Sequence, residues 1–135
     1  MIRKTMFVFC LSMAVASEGA SAGSGLSNEA DINEGLVILA AADKIRRSCD
    51  TINGRLFKAQ RYANTLKDVA RARGYSEQEI DAYLGSKAER AKVREKRNVF
   101  FQSQGASNLD ASSLCVLGHA EIARRSQIGY LLKAK

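Results

Sequence analysis

The chain has 135 residues, a single histidine, three cysteines and no proline or tryptophan. Lysines and arginines number 21 against 14 aspartates and glutamates, which gives a net charge of +7 at neutral pH. This length suits one domain with one modest core. One histidine and three cysteines leave no ligand cluster with the spacing of a usual metal site.

Residues 1–22 have the three-part layout of a secretory signal peptide. Arg3 and Lys4 form a basic start, residues 6–16 are an apolar run, and a small and polar stretch follows. Spanning a bilayer takes about 20 apolar residues, which disfavours the alternative of a membrane anchor. A lipid-modified N-terminus is also disfavoured, because Cys10 lies inside the apolar run.

Two candidate cleavage sites end in small residues, Ala16 and Ala22, and the polar segment before the second favours Ala22. The mature chain then begins at Gly23. Two cations and one anion leave with the signal peptide, so the net charge falls from +7 to +6. No later segment is apolar enough to span a membrane, and we expect an exported, periplasmic protein.

The cysteine count predicts one disulfide. Cys10 leaves with the signal peptide, and Cys49 and Cys115 remain as an even number in an oxidising compartment. A Cys49–Cys115 bridge closes a long loop. In the chain-entropy model such a bridge raises the free energy of unfolding by roughly 4 kcal/mol. The alternative is two buried free thiols.

Helix is the default prediction for the mature chain, because proline is absent and no alternating pattern is long enough for a strand. Residues 23–33 are small and polar and predict an irregular leader, followed by a single helical domain over residues 34–135. The first helix starts at residue 33 or 34. It ends at Arg46-Arg47, where cations suit the helix dipole.

An apolar stripe marks the second helix, which Asp50 or Thr51 can cap and Gly74 ends. The stripe recurs at spacings of three and four and comprises Cys49, Ile52, Leu56, Ala59, Ala63, Leu66 and Ala70. Since Cys49 belongs to this stripe, its thiol is expected to point toward the core.

Two capping boxes open the next helices. Ser76 with Glu79 starts a short third helix, and Ser86 with Glu89 starts a fourth helix that runs to about residue 104. Gly85 separates them. The two helices are therefore expected to form a helix–turn–helix corner. This predicts their geometry and not DNA binding, since an exported protein does not meet DNA.

Asp110 is the expected cap of the last helix, which bends near Arg124-Arg125-Ser126 before a final apolar turn. Gly118 shares a face with Cys115 and permits the close approach that the disulfide requires. The predicted fold is all-α: a small bundle of four to five helices in which one disulfide staples the second helix to the last.

Several short blocks resemble a family of small exported bacterial proteins known as a domain of unknown function. The blocks are Ile32-Asn33, Gly74-Tyr75-Ser76-Glu77 with Ile80, Cys115-Val116-Leu117-Gly118, Ala120-Glu121-Ile122-Ala123, Ile128-Gly129 and Leu131-Leu132. The resemblance covers most of the mature chain and carries no catalytic signature. It implies genes placed among those of the respiratory NADH–quinone oxidoreductase, and hence an accessory or assembly role at the inner membrane.

The fourth helix carries a candidate basic binding face. Its stripe is Lys87, Arg90, Arg94 and Arg97, with Lys92 and Lys96 alongside. Such a face attracts an acidic protein, anionic lipid headgroups or a polyanion. The alternative is a solvated helix face.

Candidate apolar docking residues lie beside this helix and in the last turn. They are Phe100, Phe101, Ile128, Leu131 and Leu132. The alternative for both groups is burial in the core of the bundle.

The chain shows no catalytic constellation. His119 is the only histidine, and a general base needs a nucleophile or an acid beside it. Glu121 follows two positions later and therefore does not share its helix face. Without a glycine-rich phosphate loop, a serine elbow or a metal cluster, we expect no catalytic residues, no cofactor and no enzymatic activity.

These patterns favour a non-enzymatic periplasmic interaction protein with a protein partner in the envelope or the inner membrane. The alternative is a stand-alone periplasmic stress or chaperone-like protein. Acid-triggered unfolding draws on many carboxylates, and this chain is basic, which disfavours the alternative.

Overall fold

The computed structural model describes residues 24–135, so the signal-peptide assignment, its cleavage sites and Cys10 lie outside the described residues. Seven helices and two short strands follow one another within that range. They are α1 (Ser24–Ser27), α2 (Ala30–Ser48), β1 (Ile52–Gly54), α3 (Leu56–Ala72), α4 (Glu77–Gly85), α5 (Lys87–Ser103), α6 (Ala111–Arg124), α7 (Gln127–Tyr130) and β2 (Leu132–Ala134). The all-α prediction is confirmed. None of these helices has the length and apolar character needed to cross a bilayer.

Helix α2 is the central element, because α3, α5, α6 and α7 all contact it. The main core surrounds its C-terminal half and includes Ile45, Phe101, Leu114 and Leu131. A second, smaller core lies where α1, α3 and α4 meet the start of α2, and it consists of Leu26, Ile32, Ala70, Ile80 and Tyr83. Each fully buried aliphatic side chain contributes roughly 1.5–3 kcal/mol.

The prediction of an irregular segment up to residue 33 is wrong, since α1 forms and α2 already begins at Ala30. Leu26 and Ile32 are buried in the second core and anchor the segment. The buried amide of Asn33 donates hydrogen bonds to the carbonyl oxygens of Leu26 and Glu29, each at 2.8 Å. Two apolar anchors therefore order a segment whose composition is mostly polar.

The predicted start of the second helix is also wrong, because β1 occupies that position and α3 begins only at Leu56. Strand β1 pairs antiparallel with β2, and Ile52 lies opposite Ala134. The Arg55 amide extends the contact by donating to the Leu131 carbonyl at 2.8 Å. This pairing joins segments far apart in the chain, so no local pattern indicates it.

Cys49 and Cys115 form the predicted disulfide, with Cα atoms 5.1 Å apart and a sequence separation of 66. Cys49 is the C-cap of α2. The bridge therefore links the end of α2 to α6, and the prediction that it joins α3 to the last helix is wrong. An added Cβ at Gly118 would overlap the side chains of Ile45 and Ile52, so Gly118 permits the approach of α2 and β1.

Most of the local signals for helix ends from residue 74 onward are confirmed. The exception is the second capping box, of which only one hydrogen bond forms: the Ser86 hydroxyl accepts from the Glu89 amide at 3.3 Å. Ser76 and Glu79 form both hydrogen bonds of the capping box, and Asp110 caps α6 through its side chain. Gly74 ends α3 with a φ of +94°, a conformation that glycine adopts without strain. The predicted bend lies at Arg125, whose φ of 55° closes α6 before α7 begins.

Candidate binding surfaces

The basic stripe of α5 lines a groove between α2 and α5. We call this cavity the α2–α5 groove; its volume is about 340 Å³. Arg90, Arg94 and Arg97 line it from α5, and Arg47 lines it from α2. Lys87 is exposed and does not line it. The structure thus places three of the four stripe residues along one groove, where Arg90 and Arg94 are exposed and Arg97 is buried.

Arg97 lies deep in this groove and is only 7% exposed. Its Nε and Nη2 donate to the Oδ1 of Asn98 at 3.1 and 3.0 Å. Its guanidinium carbon stands 5.8 Å from the centroid of the Phe101 ring, within cation–π range. Burial lowers the pKa of Arg97, and repulsion from Arg47 and Arg94 lowers it further.

The carboxylates that line the groove are already paired. Asp43 binds Arg46 at 2.7 Å and Arg47 at 2.9 Å, and Glu89 binds Lys92 at 3.1 Å. Among residues 24–135, the three arginines that α5 contributes to the groove have no carboxylate within 4 Å. The groove therefore carries a net positive charge, because four arginines and two carboxylates line it.

The predicted apolar docking residues do not form a docking surface. Phe101, Ile128, Leu131 and Leu132 are buried in the main core, and Phe100 is half-buried against it. The alternative of core burial is therefore the correct one. Leu132 is the first residue of β2 and pairs with Gly54 of β1.

A different apolar surface is exposed at the first turn of α3. Phe57 is 88% exposed and Leu56 is 63% exposed. Tyr130, the last residue of α7, is also exposed. The ammonium of Lys58 lies 4.2 Å from the centroid of its ring, which places the start of α3 beside the end of α7. We call Leu56, Phe57 and Tyr130 the α3 patch.

The α3 patch was not predicted from the sequence, because Leu56 fits the apolar stripe of the predicted second helix and Phe57 lies off that stripe. The prediction placed the start of this helix at residue 50 or 51. In the structure α3 begins at Leu56, and the Leu56 side chain is exposed. One sequence feature could have indicated the exposed patch: Leu56 and Phe57 are consecutive apolar residues, and no capping residue precedes them.

The N-terminus of α3 carries positive charge and no cap. Arg55 occupies the N-cap position without a capping hydrogen bond, and the first turn contains no acidic residue. Lys58 and Arg61 add two cations on the same part of the helix, and no aspartate or glutamate occurs between Asp50 and Asp68. Orphan N–H groups and the helix dipole add further positive potential at this end.

His119 is exposed on α6 and forms a hydrogen bond with Thr51, Nε2 to Oγ1 at 2.8 Å. The Thr51 hydroxyl also lies 3.2 Å from Cys49 Sγ. These contacts fasten α6 to the turn before β1. No three His, Cys, Asp or Glu side chains within residues 24–135 are grouped to hold a metal ion.

Glu121 lies apart from His119, as its helix position predicts, and is 1% exposed. Its carboxylate accepts hydrogen bonds from Arg124 and from the Ser126 hydroxyl. Ser126 in turn caps α7 through the Gly129 amide at 3.0 Å. Glu121 therefore joins α6 to α7 and has the contacts of a structural residue.

One comparison with known proteins gives a match. The family of unknown function DUF5333 matches residues 24–133, and the chain belongs to this family. No curated protein and no solved structure matches the chain.

Proposed function

We propose that this DUF5333 protein is an exported, non-enzymatic interaction protein that docks on an acidic protein partner through the α3 patch. The partner belongs to the envelope or the inner membrane, and the role is that of an accessory or assembly subunit of an inner-membrane respiratory complex. The observation that carries the proposal is the exposure of Phe57, at 88%, next to Leu56 in the turn of α3 whose Lys58 contacts the exposed Tyr130 ring.

An exposed aromatic side chain flanked by apolar neighbours is the typical centre of a protein interface. Aromatic residues and arginine are enriched at interfaces, and a few such anchors supply most of the binding energy. The α3 patch combines Phe57 and Tyr130 with the cations Arg55 and Lys58. Burying Phe57 on a partner would also remove its ring from water, which favours association.

The charge of the surface defines the partner. Arg55, Lys58 and Arg61 have no carboxylate partner within residues 24–135, and the N-terminus of α3 is uncapped. A partner segment that bears aspartates or glutamates would neutralise these cations and supply the missing cap. We therefore expect an acidic segment with apolar residues at its centre.

Two features support the compartment. Residues 1–22 carry the pattern of a secretory signal peptide, and the Cys49–Cys115 disulfide suits an oxidising environment. The respiratory complex follows from the resemblance set out above, which implies genes near those of the NADH–quinone oxidoreductase.

Site-specific photo-crosslinking tests the proposal. A benzoylphenylalanine replaces Phe57 in the full chain expressed in its native cells, and the same probe at Leu109 is the matched control, because Leu109 is 90% exposed on another surface. We expect one envelope protein to be crosslinked from position 57, through an acidic segment, and not from position 109. Identical adducts from both positions would contradict the proposal.

Reversing the charge of single surface residues provides a second test of the proposed partner. Co-purification from membranes in mild detergent should lose the crosslinked partner when Arg61 is changed to Glu, and should keep it when Lys133 is changed to Glu. Both side chains are exposed, so the two substitutions change the net charge equally. Recovery of the wild-type protein as a free monomer, or as an unprocessed chain in the cytoplasm, would overturn the proposal.

A further inference from the structure

We infer that the α2–α5 groove binds a free amphiphilic carboxylate, with its headgroup on Arg94 and Arg97 and its apolar chain along Leu36, Ala40 and Val93. This site is separate from the α3 patch, because α2, α4 and α5 line it. The inference therefore does not depend on the protein partner proposed above.

One end of the groove is basic. Arg97 lies close enough to Arg47 and Arg94 for their charges to repel it. Asp43 is the carboxylate that faces this end, and it is already shared between Arg46 and Arg47. A negatively charged headgroup at this basic end would therefore lie near three arginines, Arg47, Arg94 and Arg97, and one carboxylate, Asp43.

The other end of the groove carries most of its apolar side chains, together with Glu89 and Arg90. Leu36 and Leu84 pack against the second core, and Ala40 and Val93 continue the apolar lining toward the arginines. Along α2 the lining passes from Leu36 and Ala40 through Asp43 to Arg47. On α5, Glu89 and Arg90 precede Val93, Arg94 and Arg97, and Glu89 is paired with Lys92. A ligand that bears a short hydrocarbon chain and one negative headgroup matches this order of side chains.

The burial of Arg97 indicates a ligand. A buried charge is costly unless it is paired. Arg97 contacts the neutral Asn98 amide and the Phe101 ring, and the carboxylate whose charge acts on it, Asp43, is already shared by Arg46 and Arg47. Its Nη1 has no hydrogen bond to any of residues 24–135, while the side chain lines the groove. A carboxylate there would form the charge-assisted hydrogen bonds that guanidinium groups favour.

The groove favours a free amphiphile over a membrane surface. Its volume of about 340 Å³ lies in the range of small-molecule pockets. The Arg97 side chain, 7% exposed, lies below the protein surface. A headgroup held in the plane of a bilayer would reach Lys87 and Arg94 before it reached Arg97, whereas a free carboxylate can enter the groove.

Calorimetric titration of the purified, disulfide-bonded full-length protein tests the inference with three probes. Octanoate has both chain and charge, octan-1-ol has the chain alone, and acetate has the charge alone. We expect octanoate to bind at least tenfold more tightly than either of the other two. NMR shifts in the methyl groups of Leu36 and Val93 should accompany octanoate binding.

Variants locate the headgroup. Arg97→Gln should weaken octanoate binding at least tenfold, and Arg94→Gln should weaken it several-fold. Arg94 is exposed, so that variant tests the inference even where Arg97→Gln impairs folding. Lys96→Gln is the matched control: it removes one exposed cation from the same helix, outside the groove, and should leave the affinity unchanged.

Four results would overturn the inference. Equal binding of octan-1-ol would show only an apolar crevice, and equal binding of acetate would show only an adventitious anion site. Octanoate binding that survives both arginine substitutions would place the ligand elsewhere. Arg97-dependent binding to phosphatidylglycerol vesicles, without octanoate binding, would identify a membrane-surface site instead.

Discussion

The Tyr83 hydroxyl donates a buried hydrogen bond to the Oδ1 of Asn33, across the interface between α4 and α2. The amide nitrogen of Asn33 donates to the backbone carbonyls of Leu26 and Glu29. One side chain thereby fastens α1 and α4 to the start of α2. Buried polar groups of this kind are costly when one partner is removed.

Replacing Asn33 with Ala should therefore destabilise the fold. Two buried hydrogen bonds and one partly buried hydrogen bond are lost, so we expect a loss of about 2 kcal/mol in the free energy of unfolding. Urea denaturation measures it. Asn64→Ala, at an exposed position on α3, is the matched control and should cost no more than about 0.5 kcal/mol. Equal losses in both variants would contradict a structural role for Asn33.

The disulfide should account for a large part of the stability. Cys49 and Cys115 close a loop with a sequence separation of 66, and replacing both with Ala should lower the free energy of unfolding by about 4 kcal/mol. Denaturation of the wild-type protein with and without a reductant provides the comparison, and both routes should give the same loss. A loss below about 1 kcal/mol by either route would show that the bridge constrains the unfolded chain little.

Gly129 should tolerate no side chain. A Cβ at this position would overlap the Glu121 backbone, which cannot move as the end of a flexible side chain can. We expect Gly129→Ala to lower the free energy of unfolding by about 3 kcal/mol. Gly85→Ala is the control, since nothing lies within 4 Å of its added Cβ, and it should leave stability unchanged or slightly raised. Similar thermal melting temperatures for the two variants would refute the prediction.

Acid should weaken the contact between the start of α2 and the end of α3. Asp31 accepts a hydrogen bond from Arg73 at 2.8 Å, and this bond lowers the pKa of Asp31 from 3.8 to about 2. A lowered folded-state pKa means that the stabilisation is present above pH 3.8 and is lost as the pH falls toward 2.

Asp31→Asn should therefore flatten the fall of melting temperature between pH 4 and pH 2. The matched control is Asp81→Asn, which removes an exposed carboxylate with no ion pair among residues 24–135. Thermal unfolding followed by circular dichroism across this range gives the measurement. If the melting temperature of the Asp31→Asn variant falls with pH as steeply as that of the wild type, the Asp31–Arg73 ion pair does not contribute to stability.

Short-range signals account for the parts of the fold that could be predicted. Capping residues such as Ser76 and Asp110 act on amides two or three positions away, and Gly74 acts at its own backbone angle. Such signals work over a few residues, so the sequence shows them directly. If Cys10 leaves with a signal peptide, as the sequence predicts, Cys49 and Cys115 allow one intramolecular pairing, and this pairing forms.

The candidate sites were predicted only in part. The spacing of Arg90, Arg94 and Arg97 indicated one basic face, and the structure places all three in one groove. That Arg97 is buried there, and that Arg47 faces it, depends on the packing of α2 against α5. The exposure of Phe57 was missed because it depends on where α3 begins.

The amino-acid sequence by itself determined the helical class, most of the helix ends and the pairing of Cys49 with Cys115, because these depend on neighbours a few positions away or on a simple count. Only the tertiary structure decided the pairing of β1 with β2, the depth of Arg97 and the exposure of Phe57. Each of these depends on whether segments that are distant in the chain contact one another. The periodicity of a single segment carries no information about such contacts.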